Sequence, residues 1–507
     1  MTTRDRNVTM DDALAVLRER FGFVALRPLQ GEIIAWILAG RDALVVMPTG
    51  SGKSLCYQLP ALALPGRDDS GPGVAVVFSP LIALMEDQVG ALKRKGIQGE
   101  YVNSTLDKRE REARYEKLAQ GAYELIYATP ERMHKPGFVR ALERVPGGVK
   151  LLAVDEAHCV SKWGHDLRPA YQQVGEFRET LGNPVTIALT ATATRAVRED
   201  IRATLRLDEA SMPLFASPID RPNLDLRVEP VWSDREKTDA IRALCTRHPG
   251  TGIVYFSLIK DLERFEVELR RALPEREVAF YHGRLDPRQK KRISRRFVEA
   301  TPDDRLLLLA TNAFGMGVDK PDIRFIVHAQ VPGSVEAYHQ EVGRAGRDAE
   351  PSECVLLYSQ DDLAIQHQFV EWQNPSPDFL VEVWTAIERA HGADAHADFD
   401  AEEIRLDVVG RGHRHGRGGG QLEYALIALE KLGLIEPTSI PGRYRPAEPD
   451  DDRVAGHGID ELIDAEAIEA KRKRDLARLL DVVKLTQADD IHAFIAAYFD
   501  LQASSPV

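Results

Sequence analysis

Up to Tyr358 the chain alternates between short runs of uninterrupted apolar residues and longer stretches that mix charge with apolar residues at helical spacing. The runs Ala43–Met47, Val74–Phe78, Glu124–Ala128, Leu151–Val154 and Thr186–Leu189 form a first series. Gly252–Phe256, Val278–Tyr281, Leu306–Ala310, Arg324–His328 and Cys354–Tyr358 form a second. Nearly continuous hydrophobicity over four to six residues predicts parallel strands covered on both faces. Lys108–Ala119 and Ile259–Leu273 are examples of the predicted helices between them. Strand–helix alternation repeated this often predicts an α/β fold.

The alternation pauses at Ser217–Val231, where two prolines precede a polar–apolar alternation. This predicts a linker and an edge strand, with a domain boundary near residues 210–220. The last third differs. Ala393–Asp400 is acidic and contains histidine, Gly410–Gly420 is rich in Gly, Arg and His, and Pro446–Asp452 reads as an acidic linker. Gln421–Ile435 has the spacing of an amphipathic helix stopped by Gly433 and followed by Pro437, and Ile468–Phe499 reads as one or two helices. The expected domains are therefore residues 1–215, 216–360, 361–446 and 447–507.

Composition narrows the class. The 507 residues are 44% hydrophobic and 29% charged, the balance of a globular enzyme. No apolar run approaches the roughly 18 residues needed to cross a bilayer, and the start MTTRDRNVTMDD has no apolar core for a signal peptide. No membrane partner is expected. The net charge of −13 argues against a polycation, yet nucleic acid is bound by local patches rather than by the total. Lys93–Lys95, Arg288–Arg296 and Lys471–Arg474 are such clusters, each also readable as a solvated helix face. The cysteines Cys56, Cys159, Cys245 and Cys354 lie far apart with no C-x-x-C. That fits reduced structural thiols in a cytoplasmic protein.

Three motifs carry chemistry. Met47–Ser54 (MPTGSGKS) follows the first predicted strand. Its small residues Thr49, Gly50, Ser51 and Gly52 let backbone N–H groups wrap phosphates. Lys53 can reach the β- and γ-phosphates, and the Ser54 hydroxyl can coordinate Mg²⁺. The strict pattern has glycine where Met47 stands. Asp155-Glu156-Ala157-His158 ends a later strand. There Asp155 is placed to hold Mg²⁺ and Glu156 to polarise the attacking water. Gln340–Arg347 (QEVGRAGR), with Gln340, Arg344 and Arg347, lies in the second series. A guanidinium beside a transferring γ-phosphoryl group is worth ~10³–10⁵ in rate.

Together these elements resemble the superfamily 2 helicases, and among them the RecQ family of DNA helicases, over roughly residues 14–360. Phe21-Gly22-Phe23 and Leu26–Gln30 are similar to that family's adenine-reading motif. The resemblance makes Arg27 and Gln30 nucleotide contacts and favours ATP, since a glutamine amide matches N6 and N7 of adenine. Ser79–Gln88, Tyr127–Arg132, Leu189–Ala193 (LTATA), Tyr281–Gly283 and Ala310–Lys320 (ATNAFGMGVDK) match in order. They imply strand contacts from Ser79, Thr129, His282 and Thr311, and nucleotide contacts from Gly315 and Asp319. Cys159–Tyr171 (CVSKWGHDLRPAY) resembles the family's aromatic-rich loop that senses single-stranded DNA. Trp163, His165 and Arg168 would supply its stacking face and charge, although Leu167 stands where phenylalanine is usual.

The resemblance implies two tandem RecA-like domains with ATP between them. It also implies 3′→5′ unwinding of DNA in repair and recombination, with both single-stranded and duplex DNA as partners. The C-terminal third departs from the family. No cysteine lies beyond Cys354, so the usual four-cysteine zinc site is missing and no structural zinc is expected. Glu402–Pro446 reads as a winged helix, with Gln421–Gly433 as its main helix and Ile440–Arg445 as its wing. Lys471–Phe499 is similar to the helical part of the family's zinc domain, with Asp490 where a ligand cysteine is expected. Without metal, one apolar face of Leu476, Leu479, Leu480 and Val483 and another of Phe494, Ile495, Tyr498 and Phe499 would hold these helices. His413 and His415 read as part of a solvated basic loop rather than a metal site. Two rival readings are a DEAD/DEAH-type RNA helicase and a winged-helix DNA-binding regulator with a vestigial ATPase. The sequence does not give the oligomeric state.

Overall fold

The computed structural model describes residues 8–161, 169–217, 219–315, 320–391, 398–408, 410, 419–438, 440, 442–447 and 458–500. The chain divides into two compact units. One comprises residues 1–330, 335–358 and 485–507, and the other residues 331–334 and 359–484.

The larger unit holds two parallel sheets. The first contains β1 (Ala43–Val46), β2 (Val74–Phe78), β3 (Gly99–Val102), β4 (Leu125–Ala128), β5 (Val149–Val154), β6 (Val185–Thr190) and β7 (Leu214–Ala216), in the order β3-β4-β2-β5-β6-β1-β7. The second contains β8 (Leu224–Pro230), β9 (Gly252–Tyr255), β10 (Val278–Tyr281), β11 (Leu307–Ala310), β12 (Phe325–His328) and β13 (Ser352–Tyr358), in the order β10-β11-β9-β12-β13-β8. All ten expected strands form. Val74, Val76 and Phe78 face one apolar core while Ala75 and Val77 face another, so β2 is covered on both sides by helices. That is why these strands are apolar at every position. The edge strand expected before Val231 is β8, whose burial alternates because one face stays open.

Six of the loops with expected chemistry leave the carboxyl end of one of these strands. Met47 follows β1, Ser79 follows β2, Thr129 follows β4 and Asp155 follows β5; in the second sheet His282 follows β10 and Thr311 follows β11. Parallel order places all such loops along one edge of each sheet, where α/β folds bind their ligands.

The helix Ile491–Phe499 also belongs to the larger unit. It buries Ile491, Ile495 and Phe499, at i, i+4 and i+8. This corrects the expected face, because Phe494 and Tyr498 are only half buried. Asp490 serves as the N-cap, its Oδ1 accepting from the Ala493 backbone 2.9 Å away. A carboxylate at that position therefore has a structural use.

In the smaller unit, helices Pro377–His391, Ala401–Val408 and Gly419–Lys431 pack with an antiparallel sheet of β14 (Phe399–Asp400), β15 (Ile435–Pro437) and β16 (Arg443–Pro446), ordered β14-β16-β15. The helix expected over Gln421–Ile435 ends at Lys431. Gly433 turns the chain at φ 74°, and Ile435 opens a strand instead. The helix Ala465–Thr486 buries Leu479, Val482 and Leu485, whereas Leu480 is 54% exposed. The apolar face expected from Leu476, Leu480 and Val483 is thus rotated, since positions three apart give a continuous buried stripe. No helix among the described residues is long and apolar enough to cross a membrane.

Candidate nucleotide site

The site begins with the turn after β1. Gly50 and Gly52 take φ of +78° and +86°, values that side chains disfavour. Gly52 has a second reason to be glycine, because a Cβ there would lie 2.4 Å from Gln30 Nε2. Gln30 and Arg27 grip this loop from outside. Gln30 Nε2 donates to the carbonyls of Ser51 (3.2 Å) and Gly52 (3.1 Å), and Arg27 donates to that of Gly50 (3.0 Å). Gln30 Oε1 accepts from the Arg27 backbone at 2.9 Å. The amide expected to read adenine is therefore engaged with the phosphate loop. Ser51 Oγ donates to Pro48 (2.6 Å), and Lys53 Nζ donates to the Met47 carbonyl (3.1 Å). Ser54 precedes the helix Leu55–Ala63 with no side-chain capping hydrogen bond.

Asp155 and Glu156 emerge from β5. Burial and the adjacent Glu156 push the Asp155 carboxyl above its usual range, while Lys53 pulls the other way. Burial in turn lowers the Lys53 ammonium, opposed by Glu156 and Asp155 and reinforced by Arg347. These four groups therefore share one electrostatic environment. Glu156 is held at φ +49°, a left-handed conformation uncommon for a side chain that is neither Gly nor Asn. Its Oε2 is buried, makes no hydrogen bond and lies 3.4 Å from His158 Nδ1. His158 Nδ1 is also 2.9 Å from Thr190 Oγ1, which donates to the Thr192 carbonyl. A continuous polar chain thus joins the carboxylate pair to the LTATA loop.

The second sheet supplies the arginines. The helix Val335–Val342 runs into the QEVGRAGR turn. Arg344 donates to the Gly315 carbonyl, while its Nε is buried without a hydrogen bond. Arg347 lies against the phosphate loop: its Cδ is 3.0 Å from where a Cβ on Gly50 would sit. Gln340 and Gly343 line a small cavity with Pro48, Thr49 and Ala191 of the first lobe. Gln340 and Arg347 are therefore brought to the phosphate loop of the first lobe, while Arg344 is held on Gly315 of its own lobe.

Several residues here were not singled out in the sequence. Arg221 donates to the carbonyls of Ala345 (2.9 Å) and Gly346 (2.7 Å), and Asn223 donates to that of Gly346 (2.9 Å), pinning the arginine turn. His328 Nε2 meets Glu341 Oε2 at 2.8 Å behind the arginine helix. The C-terminal helix seats against the same region. The Phe499 ring is 5.2 Å from that of His339, and Tyr498 donates to Glu336 at 2.9 Å. Arg198 of the first lobe donates to the carbonyls of Phe499 (2.9 Å) and Asp500 (3.2 Å).

The residues expected to touch a strand form two neighbouring pairs. The Ser79 N–H donates to Ala128, next to Thr129 (3.1 Å), and the Thr311 N–H donates to Tyr281, next to His282 (3.1 Å). All four side chains are buried. His282 Nδ1 makes no hydrogen bond, and burial lowers its titration despite the nearby Glu263. Trp163, His165, Arg168, Leu167, Asp319, His413 and His415 lie outside the described residues. Among the described residues no group of three or more His, Cys, Asp or Glu could hold a metal ion.

Comparison with known proteins agrees with this geometry. Residues 27–200 match the DEAD/DEAH box helicase model and residues 236–349 the helicase conserved C-terminal domain. The chain is 38% identical over 379 residues to the probable ATP-dependent DNA helicase RecS of Bacillus subtilis, covering 75% of this chain and 73% of that protein. It is 41% identical over 361 residues to the ATP-dependent DNA helicase RecQ of the same organism, covering 71% of this chain and 58% of that protein. It spans little more than half the length of that and other bacterial RecQ relatives. The DNA-bound structure of the DUF1998 helicase MrfA shares the fold, with a TM-score of 0.56, 19% identity and coverage of 91% of this chain and 65% of that one. With both helicase modules matched in order around one phosphate loop, the chain belongs to the RecQ family of superfamily 2 helicases.

Proposed function

We propose that this chain is an ATP-driven DNA helicase that unwinds duplexes with 3′→5′ polarity in repair and recombination. The observation that carries the proposal is the approach of Arg347, from the second lobe, to the phosphate loop and to Lys53 of the first. The cradle fits a nucleoside triphosphate. Gly50 and Gly52 leave the loop open where any Cβ would fill it, and Glu156 Oε2 and Arg344 Nε are buried polar atoms without hydrogen bonds.

Bound Mg²⁺-ATP supplies the γ-phosphoryl group whose transfer to water drives the cycle. Lys53 leaves the Met47 carbonyl to meet the phosphates. Ser54 and Asp155 would hold the metal, and burial of Asp155 would make a divalent cation a strong partner for it. Glu156 orients the attacking water and draws off its proton. Arg344 and Arg347 stabilise charge that develops on the phosphoryl oxygens. The His158–Thr190 link ties that event to the LTATA loop, and lobe closure and opening move a strand past Ser79, Thr129, His282 and Thr311. Trp163, His165 and Arg168 report strand occupancy to the site. The segment Glu402–Pro446 acts as a winged helix against duplex DNA, and the C-terminal helices hold without zinc.

The test is strand displacement on 3′-tailed, 5′-tailed and RNA-tailed duplexes, with and without ATP. The 3′-tailed DNA alone should be opened, and Glu156→Gln should bind ATP without opening it. Preference for the RNA tail would replace this reading with an RNA helicase. Opening of the 5′-tailed DNA would overturn the polarity.

A further inference from the structure

The chain carries a net charge of −13, yet the helix Pro287–Glu299 has six cations and one carboxylate in 13 residues. In the other two basic clusters part of the charge is paired with neighbouring carboxylates. Lys93 pairs with Glu100 at 2.8 Å, Lys471 with Asp475 at 2.9 Å and Arg472 with Glu371 at 2.9 Å. On Pro287–Glu299, in contrast, Arg288, Lys291 and Arg292 are exposed, and no ion pair to them is found among the described residues. Arg295 is exposed and, among the described residues, bonds only Glu299 of its own helix, at 2.8 Å. An exposed pair of that kind is worth ~1 kcal/mol or less and exchanges readily.

The spacing turns these cations into a surface. Positions 288, 291, 292 and 295 fall at i, i+3, i+4 and i+7, one stripe of an α-helix. Phe297 is buried on the opposite side. From Arg288 to Arg295 the stripe runs about 10 Å, at 1.5 Å per residue. Over about that length of its axis a duplex carries about three phosphates on each strand. The helix is anchored at the strand-contacting edge of the second lobe. Asp286 caps it, accepting from the N–H groups of Arg288 and Gln289 at 2.9 Å, and Lys290 Nζ donates back to the Gly283 carbonyl beside His282 at 2.6 Å.

We propose that the Arg288–Lys291–Arg292 face is a docking surface for the phosphate backbone of duplex DNA. Charge complementarity selects a polyanion. The lack of aromatic side chains in the stripe selects the duplex over a single strand, because sites for unpaired bases add stacking platforms to their charge. The inference rests on the helicase reading and adds to it a grip on the duplex from the motor itself.

The test compares the wild-type chain with the full-length triple variants Arg288→Gln/Lys291→Gln/Arg292→Gln and Arg288→Glu/Lys291→Glu/Arg292→Glu. Binding to a blunt duplex and to a single-stranded oligonucleotide of equal length is measured over a salt series. No ATP is present, so a failure of hydrolysis would sink the helicase reading without touching this test. With all three cations on phosphates, the glutamine variant should bind the duplex on the order of tenfold more weakly or worse. Its slope of log K against log salt should be shallower by about 2 to 3. The glutamate variant should be weaker again. Single-strand binding and melting temperature should stay within experimental scatter. Unchanged duplex binding would show a merely solvated face, and an equal loss on both DNAs would assign the face to the single strand. Either result overturns the proposal.

Discussion

Gly315→Ala adds a single methyl group and should disable hydrolysis through Arg344. Gly315 sits at φ +142°, outside the range of L side chains, and a Cβ there would lie 2.4 Å from Arg344 Cζ and Nη2 and 2.6 Å from Nε. Ordinary contact begins near 3.4 Å, so the guanidinium must retreat by about 1 Å. A misplacement of that size costs ~10² in rate, within the ~10³–10⁵ that such an arginine supplies. The backbone strain adds a stability cost of about 1–3 kcal/mol. The assay is DNA-stimulated ATPase under saturating ATP, alongside nucleotide affinity and thermal melting. The turnover number should fall about a hundredfold and nucleotide affinity by much less, because Gly315 is only one expected nucleotide contact and the phosphate loop, Gln30 and Lys53 are untouched. A double-mutant cycle isolates the route. On an Arg344→Ala background the extra methyl should cost almost nothing further. Wild-type turnover in Gly315→Ala, or fully additive losses in the cycle, would refute the idea that Gly315 acts by leaving room for Arg344.

Phe499→Ala removes a fully buried ring beside His339 and should destabilise the larger unit by ~3–5 kcal/mol; a melt unchanged from wild type would show that the C-terminal helix carries no packing energy. Asp155 is raised by burial and by Glu156, so its stabilising protonated form is lost as pH climbs above the ordinary carboxylate range. Asp155→Asn should therefore melt higher than wild type without Mg²⁺ at about pH 8, with a smaller advantage at about pH 5; an equal gain at both pH values would argue against a charge penalty. Arg221→Ala, which frees the Ala345 and Gly346 carbonyls, should lower turnover more than nucleotide affinity, and a change confined to affinity would count against its role in holding the arginine turn. Elemental analysis of untagged protein should find well under one zinc per chain, and a chelator should leave melting unchanged; stoichiometric zinc would overturn the metal-free reading of the C-terminal helices.

What the sequence by itself determined is what is written locally. The parallel strands show because burial on both faces demands apolar residues at consecutive positions. β3 and β7 escaped because they are short edge strands, and β3 has half-exposed residues at its centre. The phosphate loop and carboxylate pair show because their geometry is made within a few residues of a strand end. The C-terminal helices were found, but their inward face was not, since helical period alone leaves rotation about the axis open. Burial of Leu479, Val482 and Leu485, with Leu480 exposed, settled it. Only tertiary structure revealed Arg221, whose carbonyl partners are 124 and 125 residues away, and Arg198, whose partner is 301 residues away. Backbone carbonyls exist at every residue and leave no mark in the sequence. A lone arginine therefore looks the same whether it faces solvent or holds a catalytic turn, and only the folded chain decides which carbonyls it meets.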